Sequence, residues 1–258
     1  MKILLSNDDG VFAKGLATLY EALATEHDVT VIAPDRNCSG FSNALSLQQP
    51  LRIQKMDNGF YSVNGTPSDC AHLGINRFLE EDPELVVSGI NHGANLGDDV
   101  IYSGTVAAAT EGRFMGLPAI AVSLTSHEGN HFETAARVVL EIIAKLQKHP
   151  LPANQILNVN VPDIPYDQLK GIQVTRQGRR HRAETMVRAN DAFGRDIYWY
   201  GPIGEEQDAG PGTDFHAIAN GYCSVTPLSV DMTAYQSLDT MKAWLAKNDQ
   251  TSSKNLHK

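Results

Sequence analysis

The sequence predicts an α/β fold built on a mainly parallel sheet, and three observations carry that prediction. The apolar runs "KILLS" (2–6), "DVTVIAPD" (28–35), "PELVVSG" (83–89), "PAIAVSL" (118–124) and "ILNVNVP" (156–162) are short and continuous. Strands of that kind are buried on both faces, as in parallel sheets. Helical patterns separate most of them, which is the arrangement of crossover connections. The first three runs end in segments rich in glycine, serine, asparagine and aspartate, where open parallel sheets place their ligand loops. The expected architecture is therefore a Rossmann-like three-layer α/β/α sandwich, with a C-terminal β-rich extension and a terminal helix.

Taken in order, each element has a local reason. Residues 14–27, "KGLATLYEALATEH", place Leu16, Leu19, Tyr20 and Leu23 on one helical face. The stretch 49–65 reads as a hairpin turning at Asn58-Gly59. "GTPSDCAHLGINRFLE" (65–80) opens a helix with Thr66 as N-cap and Pro67 at the first helical position. "SGTVAAATEGRFMG" (103–116) is an alanine-rich helix, and "ETAARVVLEIIAKLQKH" (133–149) is a strongly periodic one. Beyond about residue 165 the pattern changes. "GIQVTRQGRRHR", "DIYWYGP" and "GYCSVTPLSV" are strand-like and set among polar or glycine-rich loops. A last helix, "SLDTMKAWLAKN" (237–248), precedes a polar tail. The expected division is a catalytic core at 1–165, an extension for oligomerisation at 166–248 and a tail at 249–258. Tyr198, Trp199, Tyr200 and Tyr222 in that extension, with the stripe Leu238, Met241 and Leu245, call for a partner.

Composition narrows the function. The 258 residues are 42% hydrophobic and 20% charged, ordinary for a globular chain. No apolar run reaches the length of a membrane span, and the first residues do not form a signal peptide. Cys38, Cys70 and Cys223 are odd in number and lack metal-ligand spacing, so they read as free thiols of a reducing, cytoplasmic compartment. A net charge of −9 argues against stable nucleic-acid binding.

The chemistry concentrates at the strand ends. Asp8 and Asp9 follow the first strand, "RNCSGFSN" (36–43) the second and "SGINHGANLGDD" (88–99) the third. Two carboxylates beside serine and asparagine oxygens form an all-oxygen donor set suited to a hard divalent cation. A cation would also relieve the repulsion within the pair. An Asp-Asp pair can equally serve as a helix cap, and Asp98 and Asp99 are read as turn and capping residues. "YSGTVAAA" (102–109) adds a helix start whose N–H groups and dipole favour an anion. Ser103, Gly104 and Thr105 are thus candidate phosphate-binding residues, with Asn43 and Asn95. Metal and phosphate sites side by side suggest phosphate-ester chemistry.

The motifs "ILLSNDDGV", "VIAPDRNCSGFSNALS", "GTPSDCAHLGIN", "VVSGINHGANLGDDVIYSGTVAAATEGR", "LNVNVP", "GIQVTRQG", "GTDFHAI" and "GYCSVTPLSVD" occur in this order. From residue 1 to about residue 245 the sequence closely resembles the SurE family of stationary-phase survival proteins, metal-dependent phosphatases acting on 5′- and 3′-nucleotides. The resemblance implies a cytoplasmic nucleoside monophosphate phosphohydrolase, with exopolyphosphatase activity on short chains. It implies one divalent metal, Mg²⁺ or Mn²⁺, per subunit, held by Asp8, Asp9, Ser39 and Asn91, with Asp8 and Asp9 at the catalytic centre. It also implies a homodimer or homotetramer joined by a swapped C-terminal segment. Cys38, beside Ser39, departs from the larger basic or polar residue of relatives, which would alter phosphate affinity. His92, a lone loop histidine of the kind that more often serves the surface or packing, is left out of the catalytic residues. The basic stretch 176–182 is assigned to a solvated strand end or a subunit contact.

Other classes fit less well. A receiver domain needs a phospho-accepting aspartate after its third strand, where this chain has "SGIN". A dinucleotide-binding oxidoreductase needs G-x-G-x-x-G, which "NDDGVFAKG" does not supply. A non-catalytic metal- or nucleotide-binding regulator is separated from an enzyme by assay.

Overall fold

β1 (Lys2–Ser6) shows how the layers arise. Successive strand residues face opposite sides. Ile3 and Leu5 join one apolar cluster, while Leu4 joins the other. The first cluster is closed by α1 (Lys14–Leu23) through Leu16, Leu19 and Leu23. The computed structural model describes residues 1–113, 117–180, 186–201 and 203–252, the last six of these for the course of the helix alone. After α1 come β2 (Asp28–Pro34), β3 (Ile53–Lys55), β4 (Tyr61–Val63), α2 (Pro67–Leu73), β5 (Leu85–His92), α3 (Gly104–Glu111), β6 (Ala119–Leu124), α4 (Phe132–Lys148) and β7 (Ile156–Val161). They are followed by β8 (Ile172–Val174), β9 (Arg179–Arg180), β10 (Val187–Asn190), β11 (Asp196–Trp199), β12 (Glu206–Asp208), α5 (Asp214–Ala219), β13 (Cys223–Leu228) and α6 (Leu238–Ser252).

The central sheet has nine strands in the order β3-β4-β2-β1-β5-β6-β7-β13-β8. β4, β2, β1, β5, β6 and β7 are parallel neighbours, and β3 and β13 run antiparallel to β4 and β7. The chain is an α/β protein, as expected. α1 and α4 pack together with Val87, Ile120 and Val122 on one face. α2 and α3 pack together with Ile32, Val86, Ala119 and Ala121 on the other. From β1 the chain moves outward to β2 and β4, then returns to β5 on the other side of β1. The β1/β5 junction is therefore the topological switch point, where such sheets open a crevice for ligands.

Several elements depart from the sequence expectation. The first helix stops at Leu23, short of residue 27, and the Thr25 hydroxyl bonds the Ala22 carbonyl there. α2 has the expected N-terminus, with Thr66 and Asp69 forming a reciprocal capping box. It ends at Leu73 and passes into a π-helical turn, Gly74–Phe78. The third strand continues to His92, its register with β6 shifting between Ser88 and Asn91. The boundary expected at residue 165 does not coincide with the end of the sheet. All six residues of β7 are buried, so β7 needs a neighbour on each side, and β13 supplies the second. Hydroxyl contacts of Thr175 with Ser224 and Thr226, both 2.7 Å, hold β13 and its surroundings in the core. The chain divides instead into compact units Met1–Leu228 and Ser229–Lys258.

Within the first unit, β10–β11 and β9–β12 form separate two-stranded antiparallel sheets. The second unit comprises a 3₁₀ turn, Tyr235–Ser237, leading into α6, where Leu238, Met241 and Leu245 are exposed. His181 and Arg182 of the basic stretch, and 253–258 of the expected tail, lie outside the described residues.

Candidate active site at the β1/β5 junction

Asp8 lies two residues past β1 and is 4% exposed. Its carbonyl accepts from the Cys38 N–H at 2.7 Å, which brings the loop after β2 against the loop after β1. Its carboxylate meets the N-terminus of α3, where the Thr105 hydroxyl donates to Oδ1 at 2.6 Å. Gly104 makes this approach possible, because a Cβ there would stand 2.7 Å from Asp8 Cβ and 2.9 Å from its Oδ2. Gly10, at φ +100°, likewise lets the chain turn against the Arg36 backbone. Burial pushes the Asp8 carboxyl up from 3.8 to about 6; the Thr105 hydrogen bonds oppose the rise and the neighbouring Asp9 charge adds to it.

Asp9 is turned toward the end of β5. Its Oδ2 accepts from the His92 N–H and lies 3.1 Å from His92 Nδ1, also at 3.1 Å for the N–H. The imidazole packs at 4.6 Å on the Phe132 ring. Asn91 donates through Nδ2 to the Gly93 carbonyl at 2.8 Å, so its carbonyl oxygen is the atom that can serve a cation. Ser39 lies exposed on the second loop, its hydroxyl donating to Asn37 Oδ1 at 2.7 Å. Asn43 is also exposed. Asn95 sits deeper. Its Nδ2 donates to Ser123 Oγ at 2.7 Å, its N–H to Asn160 Oδ1, and its carbonyl accepts from Asn158 and Asn160. Ser103 caps α3, accepting from the Val106 N–H at 3.1 Å.

These contacts revise several sequence assignments. Thr105 is fully buried with its hydroxyl on Asp8, so it positions a carboxylate where the sequence suggested a phosphate donor. His92, left out of the catalytic residues in the sequence reading, packs on Phe132 and holds Asp9. A histidine at the end of a strand carries no sequence signal for a partner 83 residues away. The Cys38 thiol is buried 3.8 Å from the Gly65 carbonyl, and burial pushes its pKa up. It lines the core beside the loop. All three cysteines are free and buried. Asp98 and Asp99, in the 3₁₀ turn Gly97–Tyr102, accept from the Arg180 N–H (3.0 Å) and Nε (2.7 Å). Asp214, within "GTDFHAI", is fully buried and accepts from the Gly97 and Gly178 N–H groups at 2.7 and 2.8 Å. The third loop is thus clamped by residues far along the chain.

The donor set fits a divalent cation. Asp8 and Asp9 follow β1, Ser39 lies on the loop after β2 and Asn91 stands near the end of β5, so these oxygen donors belong to the same edge of the sheet. Among the described residues, Ser6 Oγ, Asn7 Oδ1 and Ser88 Oγ are buried at the same strand ends without a protein hydrogen bond. A desolvated carboxylate among orphaned oxygens is an environment that a bound cation stabilises.

A family profile described as Survival protein SurE matches residues 3–184. The chain belongs to the SurE family. It is 72% identical over 247 residues to the 5′-nucleotidase SurE of Pseudoalteromonas atlantica, covering 96% of this chain and 100% of that protein. It is 62% identical over 245 residues to the 5′-nucleotidase SurE of Idiomarina loihiensis, covering 95% and 98%. The crystal structure of the SurE protein from Aquifex aeolicus superposes with a TM-score of 0.83 at 45% identity, covering 95% of this chain and 99% of that one. The SurE fold thus places the two aspartates of the opening motif at the switch point. Among the described residues, no helix is long and apolar enough to cross a membrane.

Proposed function

We propose that this SurE-family chain is a cytoplasmic, divalent-metal-dependent nucleotidase that hydrolyses nucleoside 5′- and 3′-monophosphates to nucleoside and phosphate. The observation that carries the reading is the buried Asp8 carboxylate at the β1/β5 crevice, beside Asp9, in a chain so similar to proteins named 5′-nucleotidase SurE. Asp8, Asp9, Ser39 and Asn91 hold one Mg²⁺ or Mn²⁺ per subunit. When bound, that ion polarises a phosphoryl oxygen and acidifies a water. Thr105 fixes Asp8 and His92 fixes Asp9, so both carboxylates are engaged and the nucleophile is water. Gly104 and Ser103 present the first N–H groups of α3 toward the phosphoryl group, with Asn43 and Asn95 lining the approach. Short polyphosphate offers the same terminal phosphoryl group and is a second substrate class. The exposed aromatics of β10–β11 and the exposed face of α6 support assembly as a homodimer or homotetramer.

The test is phosphate release from adenosine 5′-monophosphate with and without Mn²⁺. The wild type requires the metal. Asp9→Asn loses on the order of a thousandfold in kcat/KM and binds Mn²⁺ more weakly in titration calorimetry, while circular dichroism shows an intact fold. Wild-type-like activity and Mn²⁺ affinity in that variant would remove Asp9 from the site. Nucleotide binding without hydrolysis would instead identify a regulator.

A further inference from the structure

β7 carries two buried amides in the middle of the sheet. Its alternate residues Leu157, Val159 and Val161 join one apolar cluster. Asn158 and Asn160 face the other way and are fully buried, in a strand flanked by β6 and β13. Stability gives no reason for them there. Leucine has much the same shape as asparagine, and an apolar side chain in a sheet interior needs no hydrogen-bond partner. Asn158 is the less well satisfied of the two: its Oδ1 is buried without a protein hydrogen bond. Local rules broken inside a core mark positions kept for function.

Both amides reach one residue of the loop after β5. Asn160 Oδ1 accepts from the Asn95 N–H at 2.8 Å, and Asn160 Nδ2 donates to the Asn95 carbonyl at 3.0 Å. Asn158 Nδ2 donates to the same carbonyl at 2.9 Å. Ser123 of β6, the register partner of Asn160, is also fully buried and accepts from Asn95 Nδ2 at 2.7 Å. The sheet thus holds both backbone groups and the side chain of Asn95.

The loop needs such a hold. Gly93 stands at φ +115°, and a Cβ there would lie 2.6 Å from His127 Cε1, so the position admits only the residue that stiffens a chain least. The Gly93 carbonyl accepts from Asn91 Nδ2 at 2.8 Å and so turns the Asn91 oxygen outward for a cation. The Asn95 N–H belongs to the peptide plane next to the one that carries the Gly93 carbonyl. Fixing Asn95 therefore fixes the direction of that carbonyl, and the carbonyl orients Asn91.

We infer that Asn158, Asn160 and Ser123 are positioning residues, which act through Asn95 and the Gly93 carbonyl to aim the Asn91 side chain at the metal position. The inference rests on the metal-dependent nucleotidase reading above. Groups that orient a metal ligand from behind are worth about ten- to a hundredfold in metal affinity.

The experiment measures, on the full chain, Mn²⁺ affinity by titration calorimetry and the thermal midpoint of the metal-free protein. Asn158→Leu removes the orphaned oxygen and one of the bonds to Asn95. A merely structural asparagine predicts a lower midpoint with unchanged Mn²⁺ binding. The positioning role predicts the reverse: a midpoint at or above that of the wild type, and Mn²⁺ affinity weaker by about tenfold. Ser123→Ala frees the Asn95 side chain with little change in volume. It weakens Mn²⁺ binding in the same direction, and it decides the matter if Asn158→Leu is unstable. Unchanged Mn²⁺ affinity in the folded variants overturns the positioning role. A wild type that binds Mn²⁺ but releases no phosphate from adenosine 5′-monophosphate overturns the nucleotidase reading and leaves the comparison of affinities to decide the positioning role. A wild type that binds no Mn²⁺ overturns the metal assignment, and the positioning role with it.

Discussion

The carboxyl edge of the sheet and the β10–β11 hairpin solve opposite problems. At the edge, polar groups are buried and held by other parts of the chain: Asp8 by Thr105 and Cys38, Asp9 by His92, Asn95 by Ser123 and Asn160. In the hairpin, charges pair at the surface. Arg188 meets Asp196 and Arg195 meets Asp191, with the arginines well exposed. Trp199 and Tyr200 face solvent. Exposed pairs of that kind contribute little, and a lone two-stranded sheet is marginal. Buried polar groups are costly, so the first region specifies one geometry and that geometry serves a ligand. The second leaves apolar area uncovered, and covering it requires another surface.

The largest test of this contrast is the pH dependence of the metal-free protein. The Asp8 carboxyl is raised from 3.8 to about 6 in the fold, so the ionised group disfavours folding. Below pH 4 both states are protonated and the penalty is absent. Between pH 4 and 6 the unfolded chain gives up its proton first, and stability falls as pH rises. Above pH 6 the penalty is constant, on the order of 3 kcal/mol. Urea unfolding of chelator-treated wild type and Asp8→Asn should diverge across that window, and Mn²⁺ should recover the wild type. Parallel pH curves for the two proteins would contradict the buried-carboxylate account.

A smaller effect is expected from Thr105→Val, which keeps shape and removes the hydroxyl. Losing a hydrogen bond to a charged group costs about 1.5–3 kcal/mol, or roughly ten- to a hundredfold in kcat/KM. The Thr105 bond lowers the Asp8 pKa, so its loss raises that pKa further. Mn²⁺ affinity, which needs the ionised carboxylate, should then appear at higher pH than in wild type. An unshifted Mn²⁺ titration would show that Thr105 does not act through Asp8.

The smallest effect on chemistry is expected from the hairpin. Trp199→Ser with Tyr200→Ser should reduce the mass measured by light scattering at micromolar concentration, while phosphate release per chain stays within about twofold, as for surface changes away from a site. A wild-type mass would locate the interface elsewhere. A large activity loss at unchanged mass would break the separation between the two regions.

Particular residues show what could be read in advance. The five apolar runs became β1, β2, β5, β6 and β7 because continuous burial on both faces leaves a direct trace in composition. Thr66 and Pro67 announced the start of α2 because a cap and a proline at the first helical position act within one turn; the reciprocal bond from Asp69 emerged with the structure. The adjacent aspartates stand just past β1, where the apolar run of the sequence ends. The role of β13 was hidden: "CSVTPL" looks like an edge strand, and only the buried far side of β7 gives it a place in the sheet.

The sequence by itself determined the parallel α/β core, the succession of its main strands along the chain and the strand ends that carry Asp8, Asp9, Ser39 and Asn91. Those features follow from periodicity, capping and turn chemistry, which act between near neighbours. Tertiary structure alone decided that Thr105 holds Asp8 across 97 residues, that His92 holds Asp9 across 83, and that Asp214 secures Gly97 across 117. A buried charge accepts whichever donor the folded chain brings within hydrogen-bonding distance, and that proximity is set by the stacking of the layers and by no local pattern.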